Sequence, residues 1–98
     1  MTRKLTADEI HTQLADLPGW QGDPAGLRRS VQFPDFPTAI SAIAEVAEVA
    51  EEIGHHPDMD VRWRTITFAL TTHDAGGVTQ LDVELAHRIS AIAASLLP

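Results

Sequence analysis

The sequence predicts an α+β fold, a single four-stranded antiparallel sheet with three helices on one face in the order α-β-β-α-β-β-α. Three observations carry this. Two stretches alternate apolar and polar residues around turn signals, and so read as hairpins. Other stretches repeat apolar residues every three or four positions behind capping signals, and so read as helices. A helix separates the hairpins, which suits one sheet covered from one side. The chain has 98 residues, fitting one domain over 1–98 with no room for a second.

The first helix starts at "LTADEIHTQL". Thr6 as N-cap and Glu9 three residues later make a capping box, and Leu5 can staple onto Ile10. Ile10, Leu14 and Leu17 share a face, and Pro18-Gly19-Trp20 ends the element. Trp20 and Gln21 read as a short strand, Asp23 to Gly26 as turn chemistry, and Leu27, Arg29, Val31 and Phe33 as one face of the partner strand. The second helix carries Pro37 in its first turn, Asp35 or Phe36 as its cap, and Gly54 just past its end. Its inward stripe is Ile40, Ile43, Ala47 and Ala50, flanked by Ala39 and Val46.

After Pro57 the period becomes two. Met59, Val61 and Trp63 share one face, and a tight turn at Arg64-Thr65 leads into Ile66, Phe68 and Leu70. A loop from His73 to Gly77 precedes the last helix. There Thr79 and Asp82 form a second capping box, and Val78 can staple onto Val83. Leu81, Leu85, Ile89, Ala93 and Leu96 give that helix an apolar seam longer than a small sheet can cover, which predicts a homo-oligomer.

Composition removes several functions. A net charge of −7, with Lys4 as the one lysine, argues against a nucleic-acid partner, because phosphate binding needs dense basic charge. The absence of cysteine rules out disulfides, thiolate catalysis and cysteine zinc sites. No run approaches the roughly 18 apolar residues of a membrane span. Arg3 and Lys4 are not followed by the apolar core of a leader. A cytoplasmic protein is expected.

The chemistry gathers around His55, His56 and His73. The pair stands before one strand of the second hairpin, and His73 follows the other. Antiparallel pairing brings those ends together, and a turn at 64–65 would set residue 56 opposite 73. Three rings that titrate near neutrality could thus line one pocket. His11 and His87, on polar helix faces, read as ordinary surface residues. Glu48, Glu51 and Glu52 lie in the last turns of a helix, where the macrodipole disfavours exposed negative charge by roughly 0.3–1 kcal/mol each. They read either as a solvated face or, for Glu51 or Glu52, as a group that orients a histidine. Asp82 already has a structural role as the N3 acid of its capping box. A metal site would need imidazoles converging within ~2.0–2.2 Å of one ion, whereas adjacent histidines in extended chain diverge, so no metal is expected.

Glu51 four residues ahead of His55-His56-Pro57, Trp63 on the next strand, His73, and "GGVTQLD" ending at Asp82 together resemble the signature of the pterin-4a-carbinolamine dehydratases. Trp20, "FPDF", "EVAEVAEE" and "LDVELAHRI" extend the likeness over nearly the whole chain. The resemblance implies a hydro-lyase of tetrahydrobiopterin recycling that needs no cofactor. It would convert the 4a-hydroxytetrahydropterin left by an aromatic amino acid hydroxylase into quinonoid dihydropterin and water. By position it implies His55, His56 and His73 as the catalytic set, with His55 and His73 as acid and base in either order. It implies Glu51, Pro57, Trp63, Thr72, Asp74, Ala75 and Asp82 around the substrate, with the Thr72-to-Ala75 backbone reading the pterin edge. It also implies dimers that pair into tetramers. Two positions depart from the pattern: Met59 replaces a common aromatic, and Arg64 replaces a common turn asparagine. The alternative is a non-catalytic pterin-binding or assembly module, since some relatives act as dimerisation cofactors of a homeodomain transcription factor.

Overall fold

The computed structural model describes residues 2–98. In chain order it forms α1 (Ala7–Leu14), β1 (Gln21–Asp23), β2 (Gly26–Gln32), α2 (Phe36–Ile53), β3 (Asp58–Arg62), β4 (Thr65–Leu70), a 3₁₀ turn (His73–Ala75) and α3 (Gln80–Leu96). The strands make one antiparallel sheet in the order β1-β2-β4-β3. Helices cover one face of it, so the α+β architecture and element order are those expected from the sequence.

The pairing register explains the burial. Leu27 stands beside Leu70 and Val31 beside Ile66, all on the covered face and all buried, with Phe68 between them. On the other face Ser30 meets Thr67, and their hydroxyls lie 2.8 Å apart. That face stays polar and bare. Trp20 precedes β1 rather than forming it. It is buried, and its indole N–H donates to Ser90 Oγ of α3 at 2.9 Å.

Both capping boxes form, Thr6 with Glu9 and Thr79 with Asp82. Arg3 and the Thr6 backbone N–H both donate to the Glu9 carboxylate and hold its pKa at about 2, well below 4.5. Asp35, not Phe36, caps α2, and the Thr38 hydroxyl and then its amide lower the Asp35 pKa.

The inward stripe of α2 differs from the expected one. Ala39, Ala42, Val46 and Ala50 are buried, while Ile40 is 44% exposed and Ala47 lies at the surface. Small and large apolar residues stand side by side on its inner half, so the periodicity leaves the exact rotation open, and the small side chains take the close contact. The α3 seam is also better covered than expected, because Leu85, Ile89 and Ala93 are buried within the chain.

The β3–β4 turn falls at Trp63-Arg64, flanked by the Arg62–Thr65 pair, one residue earlier than the sequence suggested. Trp63 there adopts φ +54°, a conformation that costs a non-glycine residue roughly 1–2 kcal/mol. The Arg64 guanidinium, 4.7 Å from the indole centre, recovers part of that. Arg64 also donates to the carbonyls of Phe33 and Pro34, which pins the turn beside the start of α2.

Candidate active site

The site lies at the opposite end of that hairpin. Gly54 ends α2 in the left-handed conformation, and its N–H and that of His55 both bond to the Ala50 carbonyl. The chain then turns sharply, and the two histidines diverge. His55 points inward, with Nε2 2.5 Å from Oδ1 of the fully buried Asp82 on α3. His56 points outward, its Nε2 hydrogen-bonded to Glu51 one turn back along α2.

His73 arrives by another route than the expected register. Continuing the Asp58–Ala69 pairing by two residues sets His56 beside Thr71, not His73. His73 instead opens the 3₁₀ turn beyond β4. The loop folds back on itself, the Thr72 N–H donating to Gly77 O and the Thr72 carbonyl accepting from Ala75, Gly76 and Gly77. This brings the His73 ring to the histidine pair.

A cleft in two lobes results. One, of about 270 Å³, lies among His55, His56 and His73. The other, of about 480 Å³, runs from His55 past Ala75 and Leu81 to Lys4. Gly54, His55, Thr72 and Asp74 line both. The exposed Asp74 and His73 form one wall, and the largely buried His55, backed by Asp82, closes the floor.

The fold therefore gathers His55, His56, His73, Thr72, Asp74 and Ala75 around one cleft, with Glu51 behind His56 and Pro57 next to it in the chain. Asp82 does not face the cleft. At 0% exposure it reaches the site only through its neighbours. Trp63 is not brought there at all, because β3 carries it roughly 20 Å along an extended strand to the far turn. Within the Thr72-to-Ala75 backbone, the Thr72 and Ala75 amides already bond inside the loop.

Sequence reasoning missed Lys4, Leu81 and Gly54. Lys4 reaches the cleft because residues 4 and 5 pair with 78 and 79, Leu5 N–H donating to Val78 O at 2.8 Å. A Cβ on Gly77 would lie 2.4 Å from Pro24 O and 2.7 Å from Lys4 Cε, so glycine is what lets these segments close up. "GG" ahead of a capping box signals a loop, but nothing local signals which segment will lie on it.

Comparison with known proteins places this geometry. The family model for pterin 4 alpha carbinolamine dehydratase matches residues 3–92. A Mycolicibacterium smegmatis protein provisionally named pterin-4-alpha-carbinolamine dehydratase is 53% identical over 88 residues, covering 90% of this chain and 94% of its own. A Roseiflexus protein with the same provisional name is 49% identical over 92 residues, covering 94% and 99%. The crystal structure of a transcriptional coactivator/pterin dehydratase from Brucella melitensis superposes with TM-score 0.90 at 36% identity, covering 93% of this chain and 99% of that one. A pterin dehydratase-like RuBisCO assembly factor of the alpha-carboxysome, 23% identical with TM-score 0.62 over 76% of this chain and 86% of its own, shares the fold. On the matched residues 3–92, which hold all three histidines of the cleft, this chain belongs to the pterin 4 alpha carbinolamine dehydratase family.

Proposed function

We propose that this protein dehydrates 4a-hydroxytetrahydropterin to quinonoid dihydropterin by histidine acid–base catalysis. One observation carries the reading: three imidazoles from two chain segments face a single cleft, and one of them is anchored from behind by a buried carboxylate.

The reaction needs an acid and a base. One imidazolium delivers a proton to the 4a-hydroxyl, and the C4a–O bond breaks to release water. The other, neutral imidazole takes the N5 proton, and the N–H electron pair becomes the C4a=N5 bond. No proton is gained or lost overall, and the two rings return to their starting states by exchange with solvent across the open cleft. Groups titrating near neutrality suit both roles, and such catalysis typically contributes ~10²–10⁴-fold. His55 and His73 hold these roles. His56, steadied by Glu51, and Pro57 shape the pterin site, and Asp74 offers an acceptor to the pterin N–H groups.

The test is a dehydration assay on 4a-hydroxytetrahydropterin generated in place by an aromatic amino acid hydroxylase. Water loss is expected to run well above the spontaneous rate, and to do so after exhaustive chelation, as suits a cofactor-free mechanism. A rate indistinguishable from the spontaneous one refutes the proposal. A rate lost on chelation and restored by zinc or iron replaces it with a metal mechanism.

A second reading, self-assembly as part of the role, has its own observation. The large apolar residues left exposed are Phe36, Ile40, Val61 and Trp63. They lie on the first turns of α2 and along β3 to its turn, away from the histidines. This surface, rather than the α3 seam, would be what a homodimer or homotetramer covers. Sedimentation at micromolar concentration should show a species heavier than 10.6 kDa; the single-chain mass alone would remove this reading.

A further inference from the structure

Three groups converge on Asp82. Oδ2 receives the Thr79 N–H at 2.9 Å and the Thr72 hydroxyl at 2.8 Å, and Oδ1 faces His55 Nε2 at 2.5 Å. As a carboxylate, Asp82 accepts from every one of these groups and cannot donate. Nε2 of His55 must therefore carry a hydrogen, and the Thr72 hydroxyl must aim its proton at Asp82. Thr72 Oγ1 also lies 2.8 Å from Thr79 Oγ1. With the Thr72 proton committed, Thr79 must be the donor there. Its oxygen accepts from the Leu81 N–H at 3.3 Å, so its hydroxyl proton is available.

Every proton in the cluster thus has one direction. The Thr79 hydroxyl donates to Thr72, Thr72 donates to Asp82, and His55 donates to Asp82 from the other side. Nδ1 of His55 has no partner among the described residues, yet the one buried unpaired polar side-chain atom among them is Arg64 Nε. Nδ1 is accordingly open to the cleft that His55 lines.

We infer that Thr72 is a positioning residue, and that Nδ1 is the nitrogen of His55 that exchanges a proton with the substrate. The side chain of Thr72 faces Asp82 rather than a ligand. Its hydroxyl fixes the rotation of the carboxylate, and the carboxylate fixes the tautomer and tilt of the ring. The claim about substrate rests on the dehydratase reading. The claim about the relay does not.

The experiment compares the whole protein with Thr72→Ser, which keeps the hydroxyl, and Thr72→Val, which keeps the shape. Nitrogen-15 NMR of neutral His55 is expected to show the Nε2–H tautomer with a downfield, slowly exchanging Nε2 proton in the wild type and in T72S. In T72V that proton signal should broaden or be lost. Turnover in T72S should stay within a few-fold of wild type, whereas T72V should lose roughly 10- to 100-fold in kcat with KM little changed. A residue that merely fills space gives the opposite ranking, with valine normal and serine impaired, and that result overturns the inference. So does an Nδ1–H tautomer in the wild type, which is readable even if T72V does not fold. Should the wild type lack turnover while the NMR pattern appears as stated, the dehydratase reading fails and the relay stands.

Discussion

Alanine at His55 or His73 is expected to lower dehydration turnover by roughly 10²–10⁴-fold while the fold persists. The two variants fail for the same chemical reason but from different surroundings. His73 is exposed, and its ring has no hydrogen-bond partner among the described residues. Its removal should change stability by no more than about 0.5 kcal/mol, as at ordinary surface positions. His55 is mostly buried against Asp82, and truncating it opens the carboxylate to the cleft, where water can take the place of Nε2. A modest stability loss should accompany its larger loss of rate. Near-wild-type turnover in both variants, with circular dichroism showing intact folds, would exclude these rings as acid and base.

Asp82→Ala should be the most damaging single change to stability at the site. It strands the fully buried Thr79 amide, and an unpaired buried donor costs about 1–3 kcal/mol, while the half-buried Thr72 hydroxyl can turn to Thr79 Oγ1. That bond from the Thr79 amide is the arm of the α3 capping box that Asp82 supplies. A loss of about 1–3 kcal/mol is expected, read as a shift in urea midpoint at unchanged slope. Asp82→Asn separates the two duties. Its amide oxygen can still accept from Thr79 and Thr72, which spares most of the stability. Its NH₂ then faces His55 Nε2 as a donor, so the ring must accept there and carry its hydrogen on Nδ1. Turnover should fall nearly as far as in the histidine variants while the urea midpoint moves little. A D82A protein as stable as wild type, or a D82N protein at full speed, would contradict this account.

The elements with strong local signals were legible in advance. Thr6 with Glu9, Thr79 with Asp82, Pro37 and Gly54 each mark a helix end by local hydrogen-bonding chemistry, and each stands where the pattern put it. The histidines could be assigned to one end of a hairpin, because antiparallel pairing alone requires it. What could not be read was whatever depends on long-range contact. The rotation of α2 was only partly legible: Ile43 and Ala50 do pack inward, but Ile40 and Ala47 continue the same spacing and stay at the surface. The hairpin turn was misplaced by one residue because tryptophan in a left-handed conformation gives no warning. Asp82 had a complete local explanation in its capping box, which masked its bond to His55. Lys4 joins the cleft only because a distant glycine lets its segment lie close.

The tryptophans offer a means of watching this molecule without a label. The sequence has two and no tyrosine, so near-ultraviolet emission belongs to Trp20 and Trp63 alone. Trp20 is 5% exposed and hydrogen-bonded inside the core, while Trp63 is 70% exposed on its turn. The first should emit to the blue and resist iodide. The second should emit to the red and be readily quenched. Loss of the blue component follows unfolding, and protection of the red one follows whatever covers the β3–β4 turn, so a single spectrum can tell melting from association.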